Sequence, residues 1–150
     1  MHRLALALLI LAGVVPASAA PSGWTRLSDG VLSLDAPAGA ALKRVAPQTW
    51  ELHDRRITLG VAFGPKVADA DDAEPRRCYA TEIILFDGTA GVLRVTRPTA
   101  RIDCPEGYAS LYAPPARRGE SALFLWAWSE DADGLATVRA VVASIHIAPP

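Results

Sequence analysis

Three arginine pairs, Arg55-Arg56, Arg76-Arg77 and Arg117-Arg118, are the side chains of this chain best suited to holding an anion. A guanidinium meets a carboxylate or phosphate through two parallel N–H donors, so loops gathered at one end of a sheet would turn these residues into an anion-binding patch. Set against that, each pair stands in a polar loop segment, where solubilising charge is the commoner role. The two cysteines, Cys78 and Cys104, offer a second chemistry. An isolated pair in an oxidising compartment is most simply a structural disulfide. A Cys104 nucleophile with His146 as its base is the competing reading, and it leaves Cys78 without a purpose.

The remaining constellations fall short of a site. His53 and His146 have no second histidine, cysteine or carboxylate at ligand spacing, so no zinc site is expected. Ser129-Glu130-Asp131-Ala132-Asp133-Gly134 partly mimics a calcium loop, but Ala140 stands where the bidentate glutamate belongs, and helix capping accounts for these residues better. The acidic run of Asp69, Asp71, Asp72 and Glu74 reads as a solvated loop or short helix. Gly119-Glu120-Ser121-Ala122-Leu123 lacks the second glycine of a nucleophile elbow, and its strand follows the serine instead of preceding it. Gly88 and Gly91 serve a turn, with no helix after them to complete a phosphate loop. No catalytic, metal or cofactor residue is assigned, and the reading leans away from an enzyme.

The start of the chain bears on where any chemistry would occur. Met1-His2-Arg3, an apolar run from Leu4 to Val15 and the small residues Ala17, Ser18 and Ala19 form the three parts of a secretory signal, with cleavage expected after Ala19. The apolar run is shorter than the ~20 residues a spanning helix needs. The sequence therefore predicts a signal peptide over 1–19, a periplasmic or secreted product, and no stable membrane insertion once the signal is removed. The mature chain would carry 14 basic and 16 acidic residues, a net charge of −2, without the concentrated basic face of a nucleic-acid binder.

Residues 20–150 are expected to form a single α+β domain. Ile57, Leu59, Val61 and Phe63 alternate with Thr58, Gly60 and Ala62, the period of a half-buried strand, and Asp54-Arg55-Arg56 reads as the turn of a hairpin entering it. Cys78 to Phe86 and Val92 to Ile102 form another hairpin about the turn 87–91, which brings the two cysteines near each other. Tyr108 to Tyr112 is a short strand. Ala122 to Trp128 is apolar on both faces, as a central covered strand would be. Asp131 and Asp133 then precede Leu135, Val138, Val141, Val142 and Ile145, spaced like one face of a helix, before a last short strand at 144–147. Core packing is expected for Trp126 and Trp128, while Trp24 and Trp50 stand near strand starts where they would line a groove. These elements make a central, mostly antiparallel sheet with a flanking helix or helices, and a C-terminal helix followed by a short strand.

Two segments resemble the PsbP-like fold family. Asp29 to Gly39 is similar to that family's opening strand with its proline-glycine turn, and Val138 to Ile147 to its terminal helix running into a strand through a Ser-Ile pair. The resemblance implies an antiparallel sheet flanked by helices and a binding or assembly role; the chain departs from it in lacking a clear second helix after the first strand, unless Pro37 to Val45 supplies a short one. It carries over no functional residue. The expected function is a non-enzymatic module binding an envelope protein or other envelope component, without a cofactor and without nucleic acid. The alternative is a small anionic-ligand binder or weak hydrolase using the loop arginines.

Overall fold

A computed structural model describes residues 21–71, 76–86, 88–97, 103–117 and 120–148. The expected signal peptide, Asp72, Glu74, Arg118 and the Pro149-Pro150 tail lie outside these residues. Strands β1 (Trp24–Ser28) and β2 (Leu32–Pro37) form a hairpin, followed by β3 (Ala41–Ala46), β4 (Thr49–His53) and β5 (Ile57–Gly64). A 3₁₀ turn, Arg76–Cys78, leads into β6 (Tyr79–Phe86), β7 (Thr89–Thr96), β8 (Tyr108–Ala113) and β9 (Ala122–Ser129). Helix α1 (Ala132–Ala143) and the short β10 (His146–Ile147) complete the order.

Among the described residues the strands make two sheets, one ordered β1-β2-β10 and a seven-stranded one ordered β3-β4-β5-β9-β8-β7-β6. All pairings are antiparallel. The α+β class, the mostly antiparallel sheet and the helix-then-strand ending agree with the sequence reading. β9 is the central strand, as its two apolar faces require. Its Leu123, Leu125 and Ala127 point with Leu59, Val61, Leu111 and Leu93 toward α1, which contributes Val138, Val141 and Val142. Leu32, Leu34 and Ala36 of β2 close the same core, alternating with half-buried Ser33 and Asp35. The helix begins where the aspartates predicted: the Asp131 side chain accepts from the Gly134 N–H at 2.7 Å and satisfies one free donor of the first turn.

Several local expectations change. Pro37 to Val45 holds no second helix; it is a turn followed by β3, whose helix-favouring Ala, Leu, Lys and Arg are overridden by pairing with β4. β7 ends at Thr96, and the rest of the expected strand, from 98 to Ile102, lies outside the described residues. The turn between β6 and β7 is also tighter than 87–91, since Phe86 pairs with Thr89. The tryptophans exchange roles: Trp50 is 1% exposed in the core while Trp128 is 48% exposed.

Trp50 also joins the two sheets. Its indole N–H donates to Asp29 at 2.5 Å, in the turn between β1 and β2, and the Arg44 guanidinium lies 5.2 Å from its ring centroid. Burial alone would raise the pKa of Asp29. The Trp50 N–H, the Leu32 and Val31 backbone N–H groups and the Arg44 charge outweigh it and hold the carboxyl below its ordinary value.

Candidate functional site

The face of the large sheet turned away from α1 carries its polar and aromatic side chains in three register rows. Lys43, Glu51, Gly60, Trp126, Ser110, Arg94 and Thr81 stand opposite one another across all seven strands. The next row toward one end runs Ala46, Thr49, Ala62, Phe124, Tyr112, Val92 and Ile83. Toward the other end stand His53, Thr58, Trp128 and Tyr108. Glycine is required in the middle of β5, because a Cβ at Gly60 would collide with the Trp126 ring lying over it. Trp126 in turn stacks on Phe124 at 6.0 Å between centroids, and Trp128 meets Tyr108 at 4.7 Å.

The connection leaving β5 crosses this face and is latched to it twice. Asp69 takes both terminal nitrogens of Arg94, at 3.1 and 2.6 Å, in a pair whose side chains are only 15% and 13% exposed. Asp71 accepts from the Tyr108 hydroxyl at 2.8 Å. Burial, the hydrogen bond to Asp71 and the negative charge there all raise the Tyr108 pKa well above its ordinary value. The phenol therefore acts as a neutral donor, not as an acid or base near neutral pH. Asp69 and Asp71 are thus fastening groups, where the sequence suggested a solvated acidic loop. Arg94 was missed as a partner; its signal was a lone arginine between Leu93 and Val95 within an apolar strand.

The disulfide joins Cys78, at the end of the same connection, to Cys104 between β7 and β8, with Cα atoms 5.4 Å apart. Tyr79 and Tyr108 pack against it. It fits folding in an oxidising compartment. Among the described residues no helix is long and apolar enough to cross a membrane, and no three His, Cys, Asp or Glu side chains are grouped to hold a metal.

The described arginines of the three pairs occupy both ends of the sheet. Arg55 and Arg56 form the tip of the β4–β5 hairpin, and Arg76 and Arg77 precede β6 at the same end, four strand spacings or about 19 Å away. Arg117, in the β8–β9 connection, is at the opposite end. Arg56 faces Asp133 at 3.5 Å and Arg77 faces Asp103 at 2.5 Å.

The edges of the sheet differ in kind. β3 carries Lys43 and Arg44 and has a register shift between Arg44 and Ala46. β6 runs eight residues in unbroken register against β7, and its one charged residue, Glu82, is bound to Arg139 of α1 at 2.9 Å. No described strand pairs with its other side. Ile83 and Leu85 on this strand are 68% and 71% exposed, the most exposed large apolar residues described. The sequence left this property open, because an apolar run looks alike in a central strand and in an edge strand.

Comparison with known proteins returns likenesses of shape. The chain is similar to the cyanobacterial PsbP (CyanoP) of Synechocystis sp. PCC 6803, with 18% identity, coverage of 91% of this chain and 96% of that one, and a TM-score of 0.47. It is also similar to a protein of Bacteroides thetaiotaomicron VPI-5482 at 9% identity and a TM-score of 0.41, over 79% of this chain and 45% of the length of that one. The family named by the sequence resemblance is also that of the cyanobacterial protein. No family model matches the chain, and no curated protein does.

Proposed function

We propose that this protein is an extracytoplasmic, non-enzymatic binding module that engages a further protein chain of the cell envelope, foreign or a copy of itself, through the β6 edge. The observation that carries this is the pairing of an unbroken eight-residue edge with Ile83 and Leu85 at 68% and 71% exposure. Free backbone donors and acceptors along an edge supply affinity for a further strand, and side chains beside them supply selectivity. Monomeric proteins usually protect such an edge with charge, proline or a bulge. β3 shows that protection here and β6 does not. The aromatic face suits support more than chemistry, since its two aspartates are occupied by Arg94 and Tyr108. The anion-binding alternative draws on Arg55, Arg56, Arg76 and Arg77 at one end of the sheet, where Arg56 and Arg77 already face aspartates.

The test compares cross-linked envelope captures by the tagged wild type and Leu85→Lys, with circular dichroism confirming that both fold alike. A stoichiometric companion, whether another envelope protein or an untagged copy of this chain expressed beside the tagged one, captured by the wild type and lost from the variant supports the reading. Equal recovery by both, or none by either, rejects it.

A further inference from the structure

Resting on that reading of the β6 edge, we infer that its occupant is a second copy of this chain, joined by antiparallel β6–β6 pairing about a two-fold axis normal to the sheet. Such an axis keeps the helix-covered faces of both copies on the same side, so residues standing opposite must have the same parity along the strand. The register centred on Ile83 satisfies this and overlaps residues 80–86 of the eight-residue strand. It sets Ile83 against its own counterpart and Leu85 diagonal to it, which covers both exposed side chains with each other.

The charges permit the contact. Glu82 is the one charged residue on the strand, and its carboxylate is held by Arg139 of the same copy, so two Glu82 side chains approach as neutralised pairs. The opposite edge decides the size of the assembly. Pairing β6 with β3 of the next copy would propagate without closing, but Lys43, Arg44 and the register shift at Arg44/Ala46 disfavour a strand there. One open edge and one guarded edge give a closed pair and no fibre.

The test uses the exported protein in analytical ultracentrifugation across a concentration series, with cysteine variants oxidised under mild conditions. Wild type is expected to associate as a dimer, and Ile83→Lys, which places two like charges on the axis, to raise the dissociation constant about tenfold or more. Ile83→Cys is expected to cross-link to its counterpart. Leu85→Cys is not, because Leu85 faces Thr81 of the other copy and lies about 14 Å from its own counterpart. A wild type that stays monomeric throughout, or cross-linking of Leu85→Cys in place of Ile83→Cys, overturns the two-fold pairing. If the wild type is monomeric yet Ile83→Lys loses an envelope companion, the second copy is excluded and the edge binds a foreign strand. If that companion is retained as well, the binding-edge reading fails with it.

Discussion

Replacing Asp69 by alanine tests whether the connection between β5 and β6 is fastened to the sheet or merely rests on it. The carboxylate receives two charge-assisted hydrogen bonds from Arg94, at 3.1 and 2.6 Å, and side-chain exposures of 15% and 13% leave little room for water to replace them. Bonds of this kind contribute about 1.5–3 kcal/mol each in mutational series, and removing one partner of a fully buried pair costs about 3–5 kcal/mol. Residual exposure places Asp69→Ala near the lower end, at about 3 kcal/mol. For a domain of this size that lowers the melting temperature by about 10 °C. The cost comes mainly from the stranded guanidinium, so adding Arg94→Met should recover a large part of it. Thermal and denaturant unfolding followed by circular dichroism would measure both variants, with hydrogen exchange over 65–71 reporting local release. A loss below about 1 kcal/mol for Asp69→Ala would put the pair in the class of solvated surface bridges and refute the latch.

Replacing Cys78 and Cys104 together by serine should cost about 3.5 kcal/mol on the chain-entropy view for a sequence separation of 26, measured as a shift in denaturant midpoint; an unchanged midpoint would contradict it. Gly60→Ala should destabilise by about 1–3 kcal/mol, because the added methyl must displace the Trp126 ring, and a shift in tryptophan fluorescence should accompany the loss. Asp29 has a folded pKa below its unfolded value, so its contribution is complete above about pH 4 and is lost as pH falls through the folded value. The stability difference between wild type and Asp29→Asn should therefore hold near neutral pH and shrink on acidification below about pH 4; a difference independent of pH would refute the assignment.

Elements with their own periodicity were legible in the sequence. β5 alternates, β9 is apolar on both faces, and α1 combines an aspartate cap with a one-sided apolar stripe, so each announces itself locally. β1 and β3 do not: Trp24–Ser28 and Ala41–Ala46 are mostly exposed strands whose existence depends on β2 and β4 beside them. The same distinction governs the candidate site. Asp54-Arg55-Arg56 was readable as a turn, but which end of the sheet each arginine loop occupies follows from strand order. Arg94 and Asp69 lie 25 residues apart, and local patterning offers no means of matching one acid in a run of four to one base in a strand. Trp50 and Trp128 exchanged expected roles because burial depends on the neighbouring strand and on what lies over the face, neither of which a tryptophan's own flanks describe.

The position of β9 has a consequence for the order of folding. β3–β5 and β6–β8 are each continuous up-and-down runs of neighbouring strands, yet they meet only through β9, which pairs Ala127 with Leu59 on one side and with Ala109 on the other. A chain emerging N-terminus first thus presents two half-sheets, each with an open inner edge, until residue 129 is free to insert between them. Closing the sheet requires contacts separated by almost 70 residues, which slows folding and prolongs the lifetime of those edges. The C-terminal 30 residues accordingly act as the clasp of the whole protein. A truncation there would remove more than the helix, leaving two meanders with no common core and, in the large sheet, three unguarded edges in place of one.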